Sequence, residues 1–204
     1  MNITFTVCLA GFILILVPYF LSLEHWRLCQ LFGEERSVIV GDTLGVISGW
    51  GFFGFWIGLW IAPQESLPMV GYTVSVLGTE ISLLYLLLSL IFLVPAFWLG
   101  LGGVRELGLS VSETHRPVEV VSGGVYSLVR HPQYLGGVMG HLGVSLLLSS
   151  RDSLLVTPIV VCVVYLICWK EEKELVREFG DEYREYQRRV PMLIPMPRRA
   201  DSQR

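Results

Sequence analysis

Three long runs of the first half of the chain are almost free of charged residues. They lie within residues 3–23, 43–62 and 70–99. A helix needs ~20 apolar residues to cross the ~30 Å hydrocarbon core of a bilayer, and each run is long enough. Over the whole chain 52% of residues are hydrophobic and 16% are charged, whereas soluble domains carry about 25% charged residues. The sequence therefore predicts an integral membrane protein.

Two shorter apolar runs follow, within residues 133–148 and 154–169, separated only by residues 149–153. We interpret them as a fourth and a fifth span that form a tight helical hairpin. The predicted fold is an all-α integral membrane protein of about five transmembrane helices. The 204 residues are expected to form one membrane domain, because this length suits a single compact bundle.

The positions of Lys and Arg predict the orientation of these spans. With five spans, Arg151 alone of the 15 Lys and Arg falls on the side that holds the N-terminus. Cytoplasmic loops carry an excess of Lys and Arg, so the N-terminus is predicted outside and the C-terminus in the cytoplasm.

Composition also argues against several classes of function. The formal net charge is −3, which gives no basic surface for nucleic acid, so nucleic acid is not expected as a partner. The four cysteines include no CxxC pair, and no metal site is predicted. The sequence contains no internal repeat, and paired broken helices in two halves are absent from it, so a transporter is not favoured.

The segment before the fourth predicted span is one candidate part of a functional site. Val118–Val121 is β-branched with one Glu and favours a strand. Gly123 and Gly124 predict a turn, and residues 125–130 a helical turn with Tyr126 and Arg130 on one face. Pro132 suits the first turn of the next helix. The free N–H groups of that helix start, with Arg130 and His131 beside them, favour an anion.

The segment after the fifth predicted span is the second part. Residues 170–189 predict a charged helix that continues the span, with one apolar stripe formed by Leu175, Phe179, Tyr183 and Tyr186. Glu171 and Glu172 lie where the helix leaves the bilayer, at a depth where an acid needs a partner such as a ligand ammonium or a nearby Arg. Residues 190–195 are expected to fold back as an apolar lid. We interpret the remaining acids as solvated charges: Glu174, Glu178, Asp181, Glu182 and Glu185.

The predicted hairpin brings these two segments together. An anion-favouring helix start then faces a pair of carboxylates, which matches a zwitterionic ligand with separate carboxylate and ammonium groups. The alternative is an interfacial loop and a solvated charge cluster that contact lipid headgroups.

Five motifs in these segments resemble a known family. Arg130–Gly136 resembles the RHPxYxG signature of the isoprenylcysteine carboxyl methyltransferase family, which is related to the phospholipid methyltransferases. The other four resemble its R-x-L-G, G-x-Y, EExxL and FGxxYxxY…VP elements, at residues 105–108, 124–126, 171–175 and 179–191 respectively. The resemblance covers roughly residues 100–195, with the motifs in the family's order.

This resemblance implies a membrane methyltransferase that binds S-adenosyl-L-methionine in a cytoplasmic pocket. It implies a lipophilic acceptor taken from the bilayer, either a small molecule, a lipid or a lipidated substrate. Residues 1–99 would then supply three spans, residues 100–195 the catalytic region, and residues 196–204 a polar tail. Carried over to this sequence, the expected cofactor-binding residues are Val118, Glu119, Val120, Val121, Tyr126, His131, Pro132, Gln133, Tyr134 and Glu171. Arg130 and His131 are the expected catalytic residues.

One position departs from the family pattern. Protein-modifying members carry an Arg four residues before the first Glu of EExxL, where this chain has Ile167. A phospholipid amine or a small thiol is therefore an alternative acceptor to a prenylcysteine carboxylate. An RHPxY-type membrane reductase with a nicotinamide cofactor and a non-catalytic membrane protein are further alternatives.

Small and polar residues within the fourth span complete the predictions. Gly136, Gly137 and Gly140 either leave room for a substrate tail or allow close helix packing. His141 is expected to form an interhelical hydrogen bond.

Overall fold

The computed structural model describes residues 2–76, 79–108 and 119–195 and is mainly α-helical. Four helices come first: α1 (Ile3–Leu14), α2 (Leu16–Leu23), α3 (His25–Phe32) and α4 (Glu34–Ile61). The break between α1 and α2 follows from Pro18, which has no N–H to donate to the carbonyl of Leu14 and whose ring crowds that carbonyl. α4 begins nine residues before the predicted second span, at Glu34.

A β-hairpin precedes the next long helix. β1 (Thr73–Val76) pairs antiparallel with β2 (Thr79–Ser82), and α5 then runs over Leu83–Leu107. The prediction of one span over residues 70–99 is therefore wrong at its beginning, where β-branched residues favour strands. It is also wrong at its end, because α5 continues for eight further residues.

The described residues after α5 contain four short elements and one long helix. A 3-10 turn at Gly124–Ser127 leads to α6 (Pro132–Leu147), followed by α7 (Arg151–Leu155), α8 (Thr157–Phe179) and α9 (Asp181–Arg189). The predicted continuous helix over residues 170–189 is instead divided at Gly180, whose φ of 58° interrupts the helix. Glu119–Val121 form a loop and not the predicted strand. Val118 and the predicted polar tail lie outside the described residues.

Three helical segments are long and apolar enough to cross a membrane: Ile3–Leu23, Glu34–Ile61 and Leu83–Leu107. Their outward side chains are largely apolar and exposed, as Ile91, Val94 and Phe97 of α5 illustrate. α6 has 16 residues and α8 ends in charged turns, so these two helices fall outside that group. A membrane protein with three candidate spans is thus established for the described residues, while five spans stay a prediction.

The bundle is joined by an aromatic core and by close backbone packing. Phe12, Phe52 and Trp56 pack between α1 and α4, with the rings of Phe12 and Phe52 stacked at 4.7 Å. α6 lies against α5 through glycines: a Cβ on Gly136 would lie 2.8 Å from the carbonyl oxygen of Ala96. Of the two interpretations of these glycines, the structure favours close packing, at least for Gly136.

A buried polar network supports the other end of α6. Nδ1 of His141 accepts hydrogen bonds from the indole N–H groups of Trp56 and Trp60, both at 3.0 Å. Nε2 lies 3.1 Å from the carbonyl oxygen of Ser153. His141 is therefore the Nε2–H tautomer, and the predicted interhelical hydrogen bond is confirmed.

Candidate active site

A cleft opens where the start of α6 meets the junction of α2 and α3 and the ends of α5 and α8. It is lined by nine of the residues predicted for the site: Glu119, Val120, Val121, Tyr126, Arg130, His131, Gln133, Tyr134 and Glu171. Pro132 does not line the cleft, since it is fully buried in the first turn of α6, where it was predicted. The structure thus brings the two predicted segments to one place.

Glu171 is held by two phenols. Its Oε1 accepts a hydrogen bond from the hydroxyl of Tyr19 at 2.8 Å and another from the hydroxyl of Tyr134. Its Oε2 lies 3.6 Å from Nδ1 of His131, which is longer than a hydrogen bond. The side chain is 13% exposed, so this carboxylate is mostly shielded from water but reaches the cleft.

The guanidinium of Arg130 donates hydrogen bonds to other groups of the protein. Its Nε donates to Oε1 of Glu172 at 2.6 Å, and its Nη1 donates to the carbonyl oxygens of Gln187, at 3.0 Å, and Val190. Gln187 also donates to Oε2 of Glu172 at 2.8 Å. These contacts leave the guanidinium engaged with protein oxygens, which does not favour the prediction that Arg130 helps to bind an anion.

The surroundings of Glu172 lower the pKa of its carboxyl. Burial raises the pKa of this carboxyl, but the nearby imidazole of His131 and the hydrogen bond and charge of the Arg130 guanidinium outweigh it and lower the pKa to about 2. Glu172 is therefore an anion at neutral pH, and it compensates the guanidinium of Arg130.

The C-terminal segment is docked on the start of α6. The N–H of Arg130 donates to the carbonyl of Pro191 at 2.9 Å, and the N–H of His131 donates to the carbonyl of Met192 at 3.1 Å. Met192 and Leu193 also pack against the aromatic core. The predicted apolar lid therefore occupies the backbone donors of the two residues that precede the first helical residue, Pro132.

The 3-10 turn is fixed from two sides. The carboxylate of Glu106 accepts the N–H of Val125 at 3.1 Å, and the hydroxyl of Tyr186 donates to the carbonyl of Tyr126 at 2.6 Å. Gln133 donates to the hydroxyl oxygen of Tyr126 at 3.2 Å. Burial raises the pKa of Tyr126 to about 12, so its phenol stays neutral and can donate a hydrogen bond into the cleft.

Nε2 of His131 is a buried polar atom in the wall of the cleft. Its Nε2 lies 3.3 Å from Oε1 of Glu172, but within the described part of the chain it has no aligned hydrogen-bond partner. His131 is 6% exposed. A buried polar nitrogen without an aligned partner is unusual, which marks His131 as a candidate site residue.

Several lining residues escaped the sequence analysis. Glu174 and Glu178 line the cleft although they were interpreted as solvated charges. They follow Glu171 at three and seven positions, so helical periodicity places all three on one face, and that signal was available. Leu23 and His25 also line the cleft, and Tyr19 contacts Glu171, but these residues belong to no recognised motif.

Among the described residues, no group of three or more His, Cys, Asp and Glu side chains is arranged to hold a metal ion. A cleft with apolar walls, a buried carboxylate and phenol hydroxyls instead suits an organic ligand that carries a positive charge.

Comparison with known proteins finds similar sequences for the second half of the chain. Residues 86–182 match the family described as phospholipid methyltransferase. The chain is 36% identical over 85 residues to the Protein-S-isoprenylcysteine O-methyltransferase of Schizosaccharomyces pombe, covering 38% of this chain and 33% of the relative. These matches support the predicted resemblance to the isoprenylcysteine carboxyl methyltransferase family. Tyr134 and Glu171, which belong to the motifs of that resemblance, line the cleft itself.

Two further similar proteins carry a different name. The chain is 36% identical over 74 residues to Methanethiol S-methyltransferase 1 of Bradyrhizobium diazoefficiens, covering 36% of this chain and 25% of the relative. It is 32% identical over 124 residues to the Methanethiol S-methyltransferase of Pseudomonas deceptionensis, covering 52% and 46%. The chain thus spans a quarter to a half of the length of these three curated relatives. No solved structure matches it.

Proposed function

We propose that the chain is a membrane-embedded, S-adenosyl-L-methionine-dependent methyltransferase that acts on a lipophilic acceptor. The observation that carries this proposal is the carboxylate of Glu171, held by two phenols at the edge of a cleft with apolar walls. Similarity to methyltransferases over the second half of the chain supports the same reaction class.

The residues of the cleft fit the methyl donor. Glu171 is suited to bind its ammonium group, and Tyr126 and Gln133 offer hydrogen bonds to its polar groups. Leu107, Leu175 and Phe179 provide apolar surface on which an adenine ring can pack. The carboxylates of Glu119, Glu174 and Glu178 also favour a ligand whose sulfonium and ammonium give it a net positive charge.

Methyl transfer from a sulfonium requires little acid–base chemistry from the protein. When bound, S-adenosyl-L-methionine supplies an electrophilic methyl group on a sulfonium that leaves as a neutral thioether. The chain's residues would therefore act mainly by orientation and by excluding water. Arg130 and Glu172 hold the C-terminal segment against the start of α6, and His131, which lines the cleft, would hydrogen-bond the donor or the acceptor.

The charge of the cleft bears on the acceptor. Ile167, at the position of the family's substrate Arg, is fully buried in the aromatic core, and Arg130 already pairs with Glu172. Neither position therefore offers a free guanidinium to a carboxylate acceptor, which would also be repelled by the acidic side chains of the cleft. We therefore favour a thiol or an amine as the acceptor, and the two methanethiol S-methyltransferases among the similar proteins are named for a thiol. A prenylcysteine carboxylate stays the principal alternative, because Schizosaccharomyces pombe and mammalian relatives carry that name.

The spans and their orientation belong to the same proposal. α6 and α8 would supply the fourth and fifth crossings, which places the cleft, the C-terminus and nearly all Lys and Arg in the cytoplasm. A single reporter cysteine placed at Tyr72, which is 85% exposed in the hairpin, and labelled with a membrane-impermeant maleimide in intact cells tests this orientation. Labelling only after lysis would contradict it.

Calorimetry with detergent-purified protein tests the donor. Wild type is expected to bind S-adenosyl-L-methionine, and Glu171→Gln to bind at least tenfold more weakly, ~1.4 kcal/mol. Glu182→Gln, an exposed acid of α9, is the matched control and is expected to bind like wild type. A well-folded wild type that does not bind the donor would overturn the proposal.

A panel of acceptors tests the substrate class. Purified protein is incubated with methyl-labelled donor and, in turn, a small alkyl thiol, a phospholipid amine and a prenylated cysteine. Transfer to the thiol or amine is expected to exceed transfer to the prenylcysteine carboxylate. The reverse order would establish the carboxylate acceptor and overturn the inference from charge, while the methyltransferase assignment would stand.

A further inference from the structure

Tyr19 joins the first apolar segment of the chain to the candidate site. It lies in α2, outside the region matched by the family, and is 3% exposed. Its hydroxyl donates to Oε1 of Glu171 at 2.8 Å and lies 2.5 Å from the hydroxyl of Tyr134. The contact bridges 152 positions of sequence, so no local pattern reports it.

The position of Tyr19 differs from that of Tyr134. Tyr134 and Glu171 line the cleft, whereas Tyr19 reaches the same carboxylate from the core, where it packs with the aromatic cluster. A ligand in the cleft would therefore meet Glu171 and Tyr134, and Tyr19 would act on the ligand through Glu171.

The two oxygens of Glu171 are in different surroundings. Oε1 accepts hydrogen bonds from both phenols, while Oε2 is approached, among the described residues, by Nδ1 of His131 at 3.6 Å. A carboxylate fixed through one oxygen presents the other in one orientation. A hydrogen bond to a charged group is also stronger than one between neutral groups, so the phenols are strong restraints.

We propose that Tyr19 is a positioning residue of the donor site, which fixes Oε1 of Glu171 so that Oε2 faces the ammonium group of S-adenosyl-L-methionine. This inference rests on the proposed function. It assigns to the N-terminal helices a part in ligand binding, in addition to their place in the membrane. The same contact makes the site sensitive to the position of α2, which packs against both α4 and α8.

A double-mutant cycle tests this role by calorimetry. Donor affinity is measured for wild type, Tyr19→Phe, Glu171→Gln and the double variant. Tyr19→Phe is expected to bind about tenfold more weakly, the loss of one hydrogen bond to a charged group. In the Glu171→Gln background the same change is expected to alter affinity less than twofold, because the carboxylate on which Tyr19 acts is gone.

Tyr85→Phe is the matched control. Its hydroxyl donates to the carbonyl of Pro68 at 2.8 Å, at an exposed site outside the cleft, so its removal is expected to leave donor affinity unchanged. The unfolding temperature is recorded for each variant. Because the Phe ring keeps the packing of Tyr19 while a hydrogen bond to a charged group is lost, unfolding is expected a few degrees below wild type and still in one cooperative transition.

Two results would overturn the inference. One is that Tyr19→Phe binds the donor as wild type does, and the other is that its loss of affinity is equal in the Glu171→Gln background. The second would indicate a packing role. In both cases donor binding by wild type would still support the methyltransferase. If wild type itself binds no donor, the proposed function and this inference both fall.

Discussion

Arg130 and Glu172 form a buried ion pair that connects three separate parts of the chain. The guanidinium lies beside the start of α6, the carboxylate belongs to α8, and Nη1 of Arg130 also binds two carbonyls at the end of α9. Both side chains are about 10% exposed. The pair therefore holds in place the wall of the cleft that carries His131.

Arg130→Ala is expected to destabilise the protein strongly. The substitution leaves the carboxylate of Glu172 buried without its guanidinium, and breaking one half of such a pair costs ~3–5 kcal/mol. Thermal unfolding in detergent measures the loss. Arg184→Ala is the control, because its ion pair with Asp181 is solvent-exposed and is worth ~0–1 kcal/mol. Equal losses for the two variants would contradict the burial of the Arg130 pair.

The depressed pKa of Glu172 predicts how stability depends on pH. The carboxyl has a pKa of about 2 in the folded protein and an ordinary value of 4.5. Because the folded pKa is the lower one, the contribution to stability is fully present above pH 4.5 and is lost as the pH falls toward 2. We expect the free energy of unfolding of wild type to fall through this window.

Glu172→Gln isolates this effect. An amide does not titrate, so the variant is expected to be less stable than wild type at pH 7 and to lose less stability between pH 4.5 and 2. Unfolding temperatures measured in detergent at half-unit intervals of pH give both curves. Parallel curves would show that Glu172 is not the group responsible.

The order of motifs predicted the place of the site but not its contacts. Spacing on α6 and α8 was enough to bring Tyr134 near Glu171, since a short hairpin joins the two helices. Tyr19 could not be found in this way, because a tyrosine in an apolar run has no periodic or motif signal and its partner is 152 positions away. Glu174 and Glu178 were missed for a different reason: helical periodicity was applied to the apolar residues and not to the acids.

The sequence predicted the start of one helix correctly and missed the end of another. Pro132 marks the start of α6 by its missing N–H, and the prediction was confirmed. Gly180 was read as part of a continuous helix, although a glycine between two charged turns permits the positive φ that ends α8. The hairpin of β1 and β2 was not predicted, because it lies within an apolar run and hydrophobicity alone does not distinguish a strand from a helix.

Gly136→Ala tests the close packing of α5 and α6. The added Cβ would lie 2.8 Å from the carbonyl oxygen of Ala96 and 3.1 Å from the N of Gly100, both backbone atoms that cannot turn away. We expect a loss of ~1–3 kcal/mol by thermal unfolding in detergent. Gly140→Ala is the control on the same helix, because its Cβ would meet Ala96 at an ordinary 3.9 Å. A substrate tunnel at Gly136 would instead leave stability unchanged and alter acceptor preference.

His141→Leu separates stability from ligand binding. The substitution removes the shared acceptor of the Trp56 and Trp60 indoles, and each buried N–H left unsatisfied costs ~1–3 kcal/mol. We expect a clear fall in unfolding temperature and no change in donor affinity, since His141 does not line the cleft. Trp60→Phe removes one donor and leaves Nδ1 bonded to Trp56, so it should avoid the unsatisfied-donor penalty of His141→Leu. A His141→Leu variant that unfolds like wild type but no longer binds S-adenosyl-L-methionine would place His141 in the site and contradict the structural role.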